Sequence, residues 1–262
     1  MNQTPFAVIT GASRGIGAQY ARALAAQGYD VLLVGRDRTR LESLKQELRH
    51  ISERSIWVES LDLSQPDIAQ TLFDRATSYR PEVSLLINNA GFGMYGDFSE
   101  MSLAKIREML QLHMNTAVES IRLFLPNMLA RKHGEIITVA SVAGFFPIPY
   151  ITEYAATKAF LIAFSEGLAR ETQNQGVTIQ VCCPGFTDTD FHQTAGHQPK
   201  HVFFAQSSQQ VVQTSLKALK TKRTFVTIGW QGRLALWISK IMPHRILLAF
   251  AGKAVKPPST TD

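Results

Sequence analysis

Short apolar runs alternate with amphipathic stretches along most of this chain, and this alternation constrains the fold more than any other feature. The runs predict strands at residues 5–10, 31–34, 55–59, 83–87, 136–139, 177–181 and 224–228. The stretches predict helices at residues 15–28, 39–49, 68–79, 102–131, 152–173 and 207–220. Strands and helices that alternate at this spacing form βαβ crossovers. We therefore predict an α/β fold, a doubly wound parallel sheet with helices on both faces.

A glycine-rich turn joins the first predicted strand to the first predicted helix. Its sequence is Thr10-Gly-Ala-Ser-Arg-Gly-Ile-Gly17. Glycines allow a tight turn and a close approach of the backbone to a diphosphate, and the helix N-terminus adds unpaired N–H groups. We therefore predict a dinucleotide site in which the loop contacts come from Gly11, Ser13, Arg14, Gly15, Ile16 and Gly17.

The end of the second strand indicates which dinucleotide is bound. A carboxylate at this point would bind the ribose hydroxyls of NAD, but the chain has Gly35 and then Arg36. Arg14 and Arg36 together suit a ribose 2′-phosphate, which favours NADP(H) over NAD(H). Asp37 would oppose the phosphate if it turned inward. As the first polar residue before a helix, it is expected to cap that helix instead.

Tyr154 and Lys158 lie four residues apart in a predicted helix, so they share one face of it. A nearby cation stabilises a phenolate, so the pKa of Tyr154 is expected to fall from about 10 towards the working pH, which suits a proton donor and acceptor.

Ser141 follows the fifth strand, where its hydroxyl can hold a substrate oxygen. Asn88-Asn-Ala-Gly91 follows the fourth strand and is expected to line the cofactor floor, and Asn115 is an unusual choice within a long helix.

These features together resemble the short-chain dehydrogenase/reductase family, and the resemblance covers about residues 5–190. The matching set is Thr10-Gly-x-x-x-Gly15-x-Gly17, Asn88-Asn-Ala-Gly91, Asn115, Ser141, Tyr154-x-x-x-Lys158 and Pro184-Gly185. The resemblance implies a seven-stranded Rossmann sheet and hydride transfer at a nicotinamide. It implies that Tyr154 is the acid/base, that Lys158 lowers its pKa and binds the nicotinamide ribose, and that Ser141 orients the substrate oxygen. It also implies that Asn115 holds a water that links Lys158 to solvent.

The same resemblance extends the set of cofactor contacts. Asp62 is similar to the family's adenine contact, and Leu63 follows it. Pro184, Gly185 and Thr187 are similar to the loop at the carboxamide, with Thr189 as a second candidate for that contact. The expected floor contacts are Asn89, Ala90 and Gly91.

The expected function is an NADP(H)-dependent oxidoreductase that interconverts a carbonyl and an alcohol, in the reductive direction on an apolar ketone such as a lipid, acyl or steroid-like compound. The alternative is a non-catalytic NADP(H)-binding sensor or scaffold, which a missing tyrosine or lysine would favour.

No metal is expected: His192, His197 and His201 have mixed spacing in a polar segment. Cys182 and Cys183 are adjacent in an apolar run and suit two buried strand residues.

Charge is distributed unevenly. Residues 1–190 carry a net charge of −3, and residues 191–262 carry ten basic residues and one acidic residue, a net charge of +9. The basic residues are spread out, which argues against binding to nucleic acid.

Apolar residues at 234–238, 241–242 and 246–250 predict two short amphipathic helices broken at Pro243. These helices either pack over the substrate cleft or a partner subunit, or contact a membrane surface peripherally through residues 230–252.

The organisation of the chain follows from these assignments. No Gly/Ser- or Pro-rich spacer occurs before Lys256, so we predict one domain over residues 1–256. Its parts are a cofactor-binding and catalytic core at 1–185, and a substrate lid with apolar helices at 186–256; a polar tail follows at 257–262. Neither a secretory signal nor a membrane-spanning run is visible, so a cytoplasmic protein, with the membrane contact still open, is expected. A homo-oligomer is also consistent with the family.

Overall fold

The computed structural model describes residues 4–187 and 205–255. Their strands belong to one parallel sheet in the order β3-β2-β1-β4-β5-β6-β7. The strands are β1 Phe6–Thr10, β2 Asp30–Gly35, β3 Ile56–Ser60, β4 Leu85–Asn88, β5 Gly134–Val139, β6 Val177–Cys183 and β7 Phe225–Thr227. The predicted doubly wound, seven-stranded fold is confirmed.

Helices connect these strands along the described part of the chain. They are α1 Gly15–Ala26, α2 Arg38–Ile51, α3 Ile68–Tyr79, α4 Leu103–Leu110, α5 Thr116–Arg131, α6 Thr152–Glu171, α7 Ser208–Lys220, α8 Gly229–Ile241 and α9 His244–Val255. A π-helical turn, Gln111–Asn115, joins α4 to α5, so the predicted helix at 102–131 is continuous but not regular. Pro126 lies within α5 and does not end it, whereas Pro243 separates α8 from α9.

The core lies on both faces of the sheet because its central strands are buried on both sides. Every residue of β1 and β2 is buried, as expected for continuous apolar runs in a parallel sheet. Cys182 and Cys183 are free thiols that are fully buried in β6, and burial raises the pKa of Cys182 to about 12. The interpretation of this pair as buried strand residues is confirmed.

The strand order reverses between β1 and β4. From β1 the chain winds outward through β2 to β3, then returns to β4 and winds the other way to β7. At such a reversal the crossover helices diverge to opposite faces, which leaves a crevice at the carboxyl ends of the strands. The turns that follow β1, β2, β4, β5 and β6 therefore meet at one edge of the sheet.

Candidate active site

A cavity of about 540 Å³ lies at the carboxyl edge of the sheet. Predicted site residues that line it are Gly11, Ser13, Arg14, Gly15, Ile16, Arg36, Asp62, Leu63, Asn89, Ala90, Gly91, Ser141, Tyr154, Lys158, Pro184, Gly185 and Thr187. Gly17 is buried behind the loop, and Thr189, like the three histidines at 192, 197 and 201, lies outside the described residues. One cavity thus joins most of the predicted dinucleotide residues to three of the predicted catalytic ones, Ser141, Tyr154 and Lys158.

The glycine-rich loop is held against the end of β4 by a network around Thr10. The Thr10 hydroxyl donates to the carbonyl of Ile87 and accepts from the backbone N–H groups of Asn89 and Ala90 at 2.9 and 3.1 Å. The side chain of Asn89 donates to the carbonyls of Thr10 and Gly11. Asn89 therefore locks the loop as well as lining the cavity.

Two glycines of the loop are required by its packing. Gly11 has a φ of +65°, and a Cβ there would lie 2.8 Å from the Cα of Ala90. A Cβ at Gly17 would lie 2.2 Å from the carbonyl oxygen of Gly11. Helix α1 begins at Gly15, so its unpaired N–H groups face the cavity with no acidic residue in the first turn. The residues present therefore fit the diphosphate of a dinucleotide.

Three arginines, Arg14, Arg36 and Arg40, line the cavity. Asp37 also lines it, but its carboxylate accepts from the backbone N–H of Arg40 at 3.0 Å and pairs with the Arg40 guanidinium at 3.2 Å. The prediction that Asp37 caps α2 is confirmed. The guanidinium of Arg36 pairs with Glu108 at 3.0 Å.

Asp62 lies on the side of the cavity beside β3. Its carboxylate accepts hydrogen bonds from the backbone and hydroxyl of Ser64 and from the side chain of Gln65. Although burial acts to raise the pKa of Asp62, these bonds and the charge of Arg36 lower it overall. Asp62 is therefore an ionised acceptor at neutral pH.

Ser141 and Tyr154 are brought together by a close approach between two elements. Ser141 caps a short 3₁₀ turn, Val142–Phe145, and its hydroxyl accepts from the N–H of Ala143. A Cβ at Gly144 would lie 2.7 Å from the backbone of Lys158, so glycine lets this turn lie directly on α6. As a result the hydroxyl of Ser141 hydrogen-bonds the phenol of Tyr154.

Lys158 lies beside Tyr154 as the helical spacing predicts. Its ammonium is 5.6 Å from the centre of the Tyr154 ring and donates to the carbonyl of Val139 at 2.9 Å. Burial lowers the pKa of Lys158 to about 8. Burial also raises the pKa of Tyr154 to about 12, against the hydrogen bond from Ser141, so the predicted fall of the tyrosine pKa is wrong for this arrangement. The phenol is therefore held protonated, as a proton donor must be.

Asn115 is not brought to this cluster. Its side chain is exposed and donates to the side chain of Gln111 at 2.8 Å. The π-helical turn instead buries His113, whose ring packs edge-on against Tyr154 with the ring centres 5.9 Å apart. Sequence analysis did not identify His113 as a site residue. The sequence pattern predicts a regular helix here, and so it does not indicate that the residue two positions before Asn115 lies beside Tyr154.

Other lining residues were also missed. Val139 and Ala140, at the end of β5, line the cavity, as do Ile151, which packs with Tyr154, and Phe186, in the loop after β6. Their positions gave a signal, because Val139, Ala140 and Phe186 lie at or after the ends of β5 and β6, and Ile151 directly precedes α6. Among residues 4–187 and 205–255, no group of three or more His, Cys, Asp or Glu side chains is arranged to hold a metal ion.

Comparison with known proteins decides the family. A family model described as short chain dehydrogenase matches residues 5–200, well over half of the chain. The chain belongs to the short-chain dehydrogenase family. It is thus a member of a family of oxidoreductases, as its sequence motifs indicate.

Individual relatives agree with this assignment. This short-chain dehydrogenase is 31% identical over 237 residues to the ketoacyl reductase HetN of Nostoc sp., covering 90% of this chain and 82% of that one. It is 28% identical to the 7beta-hydroxysteroid dehydrogenase of Clostridium sardiniense, covering 94% of each chain. A short-chain dehydrogenase from Sphingobium yanoikuyae in complex with NADPH superposes with a TM-score of 0.81 at 30% identity, covering 85% of this chain and 87% of that one.

Proposed function

We propose that this protein is an NADPH-dependent carbonyl reductase that acts on an apolar ketone. The observation that carries the proposal is that one cavity is lined by three arginines, by the glycine-rich loop, and by Lys158 and the hydrogen-bonded pair Ser141–Tyr154. A cofactor end with positive charge and a catalytic end with a protonated phenol suit reduction of a carbonyl.

The chemistry at the catalytic end follows from the residues there. NADPH, when bound, supplies the hydride that goes to the carbonyl carbon. Ser141 and Tyr154 hydrogen-bond the carbonyl oxygen, where negative charge develops, and Tyr154 donates its proton to that oxygen. Lys158 stabilises the resulting phenolate because its ammonium lies beside the ring.

An apolar substrate is supported by the surroundings of Tyr154. Ala143 and Ile151 pack around Tyr154 in one apolar cluster, which also includes Ile148 and Phe146. An apolar wall beside a few fixed polar groups is typical of sites for small apolar ligands. The two curated relatives described above are named for ketoacyl and hydroxysteroid compounds, which agrees with this class.

A substrate panel tests the proposal. Purified protein is mixed with NADPH or NADH and with steroid ketones, 3-oxoacyl thioesters and small aldehydes, and cofactor absorbance is followed. We expect turnover with NADPH on at least one apolar ketone and weaker turnover on small polar aldehydes. Tight NADPH binding without turnover across the panel would instead support the non-catalytic sensor.

If NADPH is the cofactor, Arg36 should contribute to its affinity. Exposed ion pairs contribute only about 0–1 kcal/mol, so Arg36 can exchange Glu108 for a ribose 2′-phosphate at small cost. We expect Arg36→Gln to weaken NADPH binding about 10- to 100-fold, since a hydrogen bond to a charged group contributes about 1.5–3 kcal/mol, and to leave NADH binding within about threefold. Fluorescence titration of both cofactors measures this.

Arg38→Gln is the matched control, because Arg38, the first residue of α2, is exposed two residues after Arg36 but does not line the cavity. It is expected to change neither affinity. Equal weakening of NADPH and NADH by Arg36→Gln, or a wild-type preference for NADH, would contradict the assignment.

A further inference from the structure

Helix α8 turns an apolar stripe towards solvent. Trp230, Leu234, Trp237 and Ile241 are 61%, 44%, 60% and 60% exposed and recur every three or four residues, so they share one face. Gly232, on the opposite side of the helix, is buried against Thr227. The apolar face is thus the outer face of α8.

Positive charge flanks this stripe. Arg233 and Lys240 are exposed on one edge of it, and Arg245 is exposed in α9 just beyond Pro243. The sequence from 191 to 261 contains no aspartate or glutamate. An exposed face that combines tryptophans, aliphatic side chains and cations without carboxylates has the composition of a helix that lies in a membrane interface.

We propose that α8 is an interfacial helix that docks this protein on an anionic lipid surface. No helix in the described part of the chain is long and apolar enough to cross a bilayer, so contact would be lateral. A second copy of the chain fits less well, because a symmetric contact with the two helices antiparallel would bring Arg233 and Lys240 of one subunit close to the same cations of the other. Anionic headgroups complement that charge, and the stripe supplies the apolar area.

The position of α8 links docking to the cavity. Helix α8 packs against the 3₁₀ turn Val142–Phe145 that follows Ser141, and Ala251 of α9 packs in the apolar cluster around Tyr154. Docking through α8 would therefore hold the catalytic end of the cavity close to the bilayer, where apolar ketones dissolve. This consequence rests on the proposed function, whereas docking itself does not.

Vesicle co-sedimentation of the full chain tests the docking proposal. We expect binding to vesicles of phosphatidylcholine mixed with phosphatidylglycerol, and about tenfold or more weaker binding by Leu234→Ser/Trp237→Ser, since each exposed apolar side chain that the bilayer buries contributes about 1.5–3 kcal/mol. Arg233→Gln/Lys240→Gln should lower binding about tenfold or more to the anionic vesicles, at about 1 kcal/mol for each cation, and much less to phosphatidylcholine alone.

Phe98→Ser/Leu103→Ser is the matched control, because both side chains are 59% exposed but belong to other elements of the chain. NADPH affinity and far-UV circular dichroism check that all variants are folded. Vesicle binding that is absent in the wild type, or equal in the α8 variant, would overturn the proposal. A fall in sedimentation mass caused by the α8 variant would assign this face to a contact between copies instead.

A second inference rests on the separate buried network around His113. Its Nε2 accepts the backbone N–H of Phe92 at 3.0 Å, and its Nδ1 lies 2.9 Å from the hydroxyl of Thr157. That hydroxyl donates its only proton to the carbonyl of Tyr154 at 2.8 Å. Nδ1 must therefore carry a proton and donate it to the Thr157 hydroxyl. Because Nε2 accepts a hydrogen bond and so has no proton, the imidazole is neutral.

The ring of His113 is wedged between the cofactor floor and α6. A Cβ at Gly91 would lie 2.8 Å from Nε2, so only glycine allows the loop after β4 to approach the ring. Burial, together with the charge of Lys158, holds the pKa of His113 well below its usual range. The ring is therefore an uncharged spacer with two fixed hydrogen bonds.

We infer that His113 is a positioning residue, which fixes Tyr154 relative to the cofactor floor through Thr157 and through edge-on ring packing. This inference rests on the proposed function, because its readout is turnover. Reacting groups displaced by about 1 Å lose on the order of 100-fold in rate, so a small shift of Tyr154 is measurable.

A double-mutant cycle tests the inference. We expect His113→Phe and Thr157→Val each to lower kcat about 10- to 100-fold with NADPH affinity unchanged, and the double variant to be no slower than the slower single variant, because both act through one chain of hydrogen bonds. Rates are expressed per cofactor-binding site, so loss of folded protein does not mimic the effect.

The outcomes distinguish failure of the proposed function from failure of the positioning role. A wild-type protein without turnover on the panel would overturn the proposed function before any variant is compared. Turnover by His113→Phe or Thr157→Val within about twofold of wild type would overturn the positioning role alone. Should His113→Phe fail to fold, Thr157→Val, which removes one hydroxyl, still decides the inference.

Discussion

Tyr154→Phe is expected to lower kcat by about 10³-fold or more while the affinity for NADPH stays within about threefold. The phenyl ring keeps the edge-on packing against His113 but loses the hydrogen bond with Ser141, and it has no proton to donate when the carbonyl accepts hydride. General acid–base groups typically contribute about 10²–10⁴-fold, and here the same group also hydrogen-bonds the developing charge. Steady-state turnover of the best ketone in the panel measures the effect.

Tyr79→Phe is the matched control for this prediction. It removes the same hydroxyl from a tyrosine that hydrogen-bonds Glu59 and does not line the cavity. Its turnover should equal that of the wild type. If Tyr154→Phe kept more than about a tenth of the wild-type rate, the proton would have to come from another group and the assigned role would be wrong.

Gly17→Ala is expected to abolish NADPH binding and to lower the free energy of unfolding by about 3 kcal/mol. The new methyl group would lie 2.2 Å from the carbonyl oxygen of Gly11 and 2.6 Å from the amide of Asn89. A backbone atom cannot move aside as a flexible side chain can, so the loop and the start of α1 must separate. Overpacking of a rigid site typically costs about 1–3 kcal/mol, and this contact is shorter than real Cβ contacts.

Gly167→Ala supplies the opposite expectation. Gly167 lies in α6, and a Cβ there meets no atom within 4 Å. This variant should gain about 0.5–1 kcal/mol of stability, because alanine favours a helix over glycine, and should bind NADPH normally. Urea unfolding and cofactor titration of both variants make the comparison. Unchanged cofactor affinity in Gly17→Ala would show that the loop does not need glycine for the packing described here.

Much of the fold was predictable because buried strands can be recognised directly from the sequence. Parallel strands buried on both faces require uninterrupted apolar runs, so β1 and β2 were recognised within one residue at each end. Helix α3 coincides with its predicted bounds, Ile68–Tyr79. The prediction that Asp37 is a helix cap also held, since the carboxylate does bind the first turn of α2.

The arrangement around Tyr154 was only partly predictable. Regular helical spacing correctly placed Lys158 beside Tyr154, but the same assumption failed at residues 111–115, where a π-helical turn buries His113 and exposes Asn115. A single π-helical turn changes which face of the helix every later side chain occupies, and no local sequence pattern predicts such a turn. The pKa of Tyr154 was misjudged for a different reason, because its burial depends on contacts distant in the sequence.

The two adjacent thiols of β6 have a practical consequence. Cys182 and Cys183 have no accessible surface, and burial raises the pKa of both above that of an ordinary cysteine. Alkylating reagents attack the exposed thiolate, so they can modify either residue only when the sheet opens around β6. The rate of alkylation therefore measures how often the sheet opens around β6, and ligands can be ranked without an added label by how strongly they lower that rate.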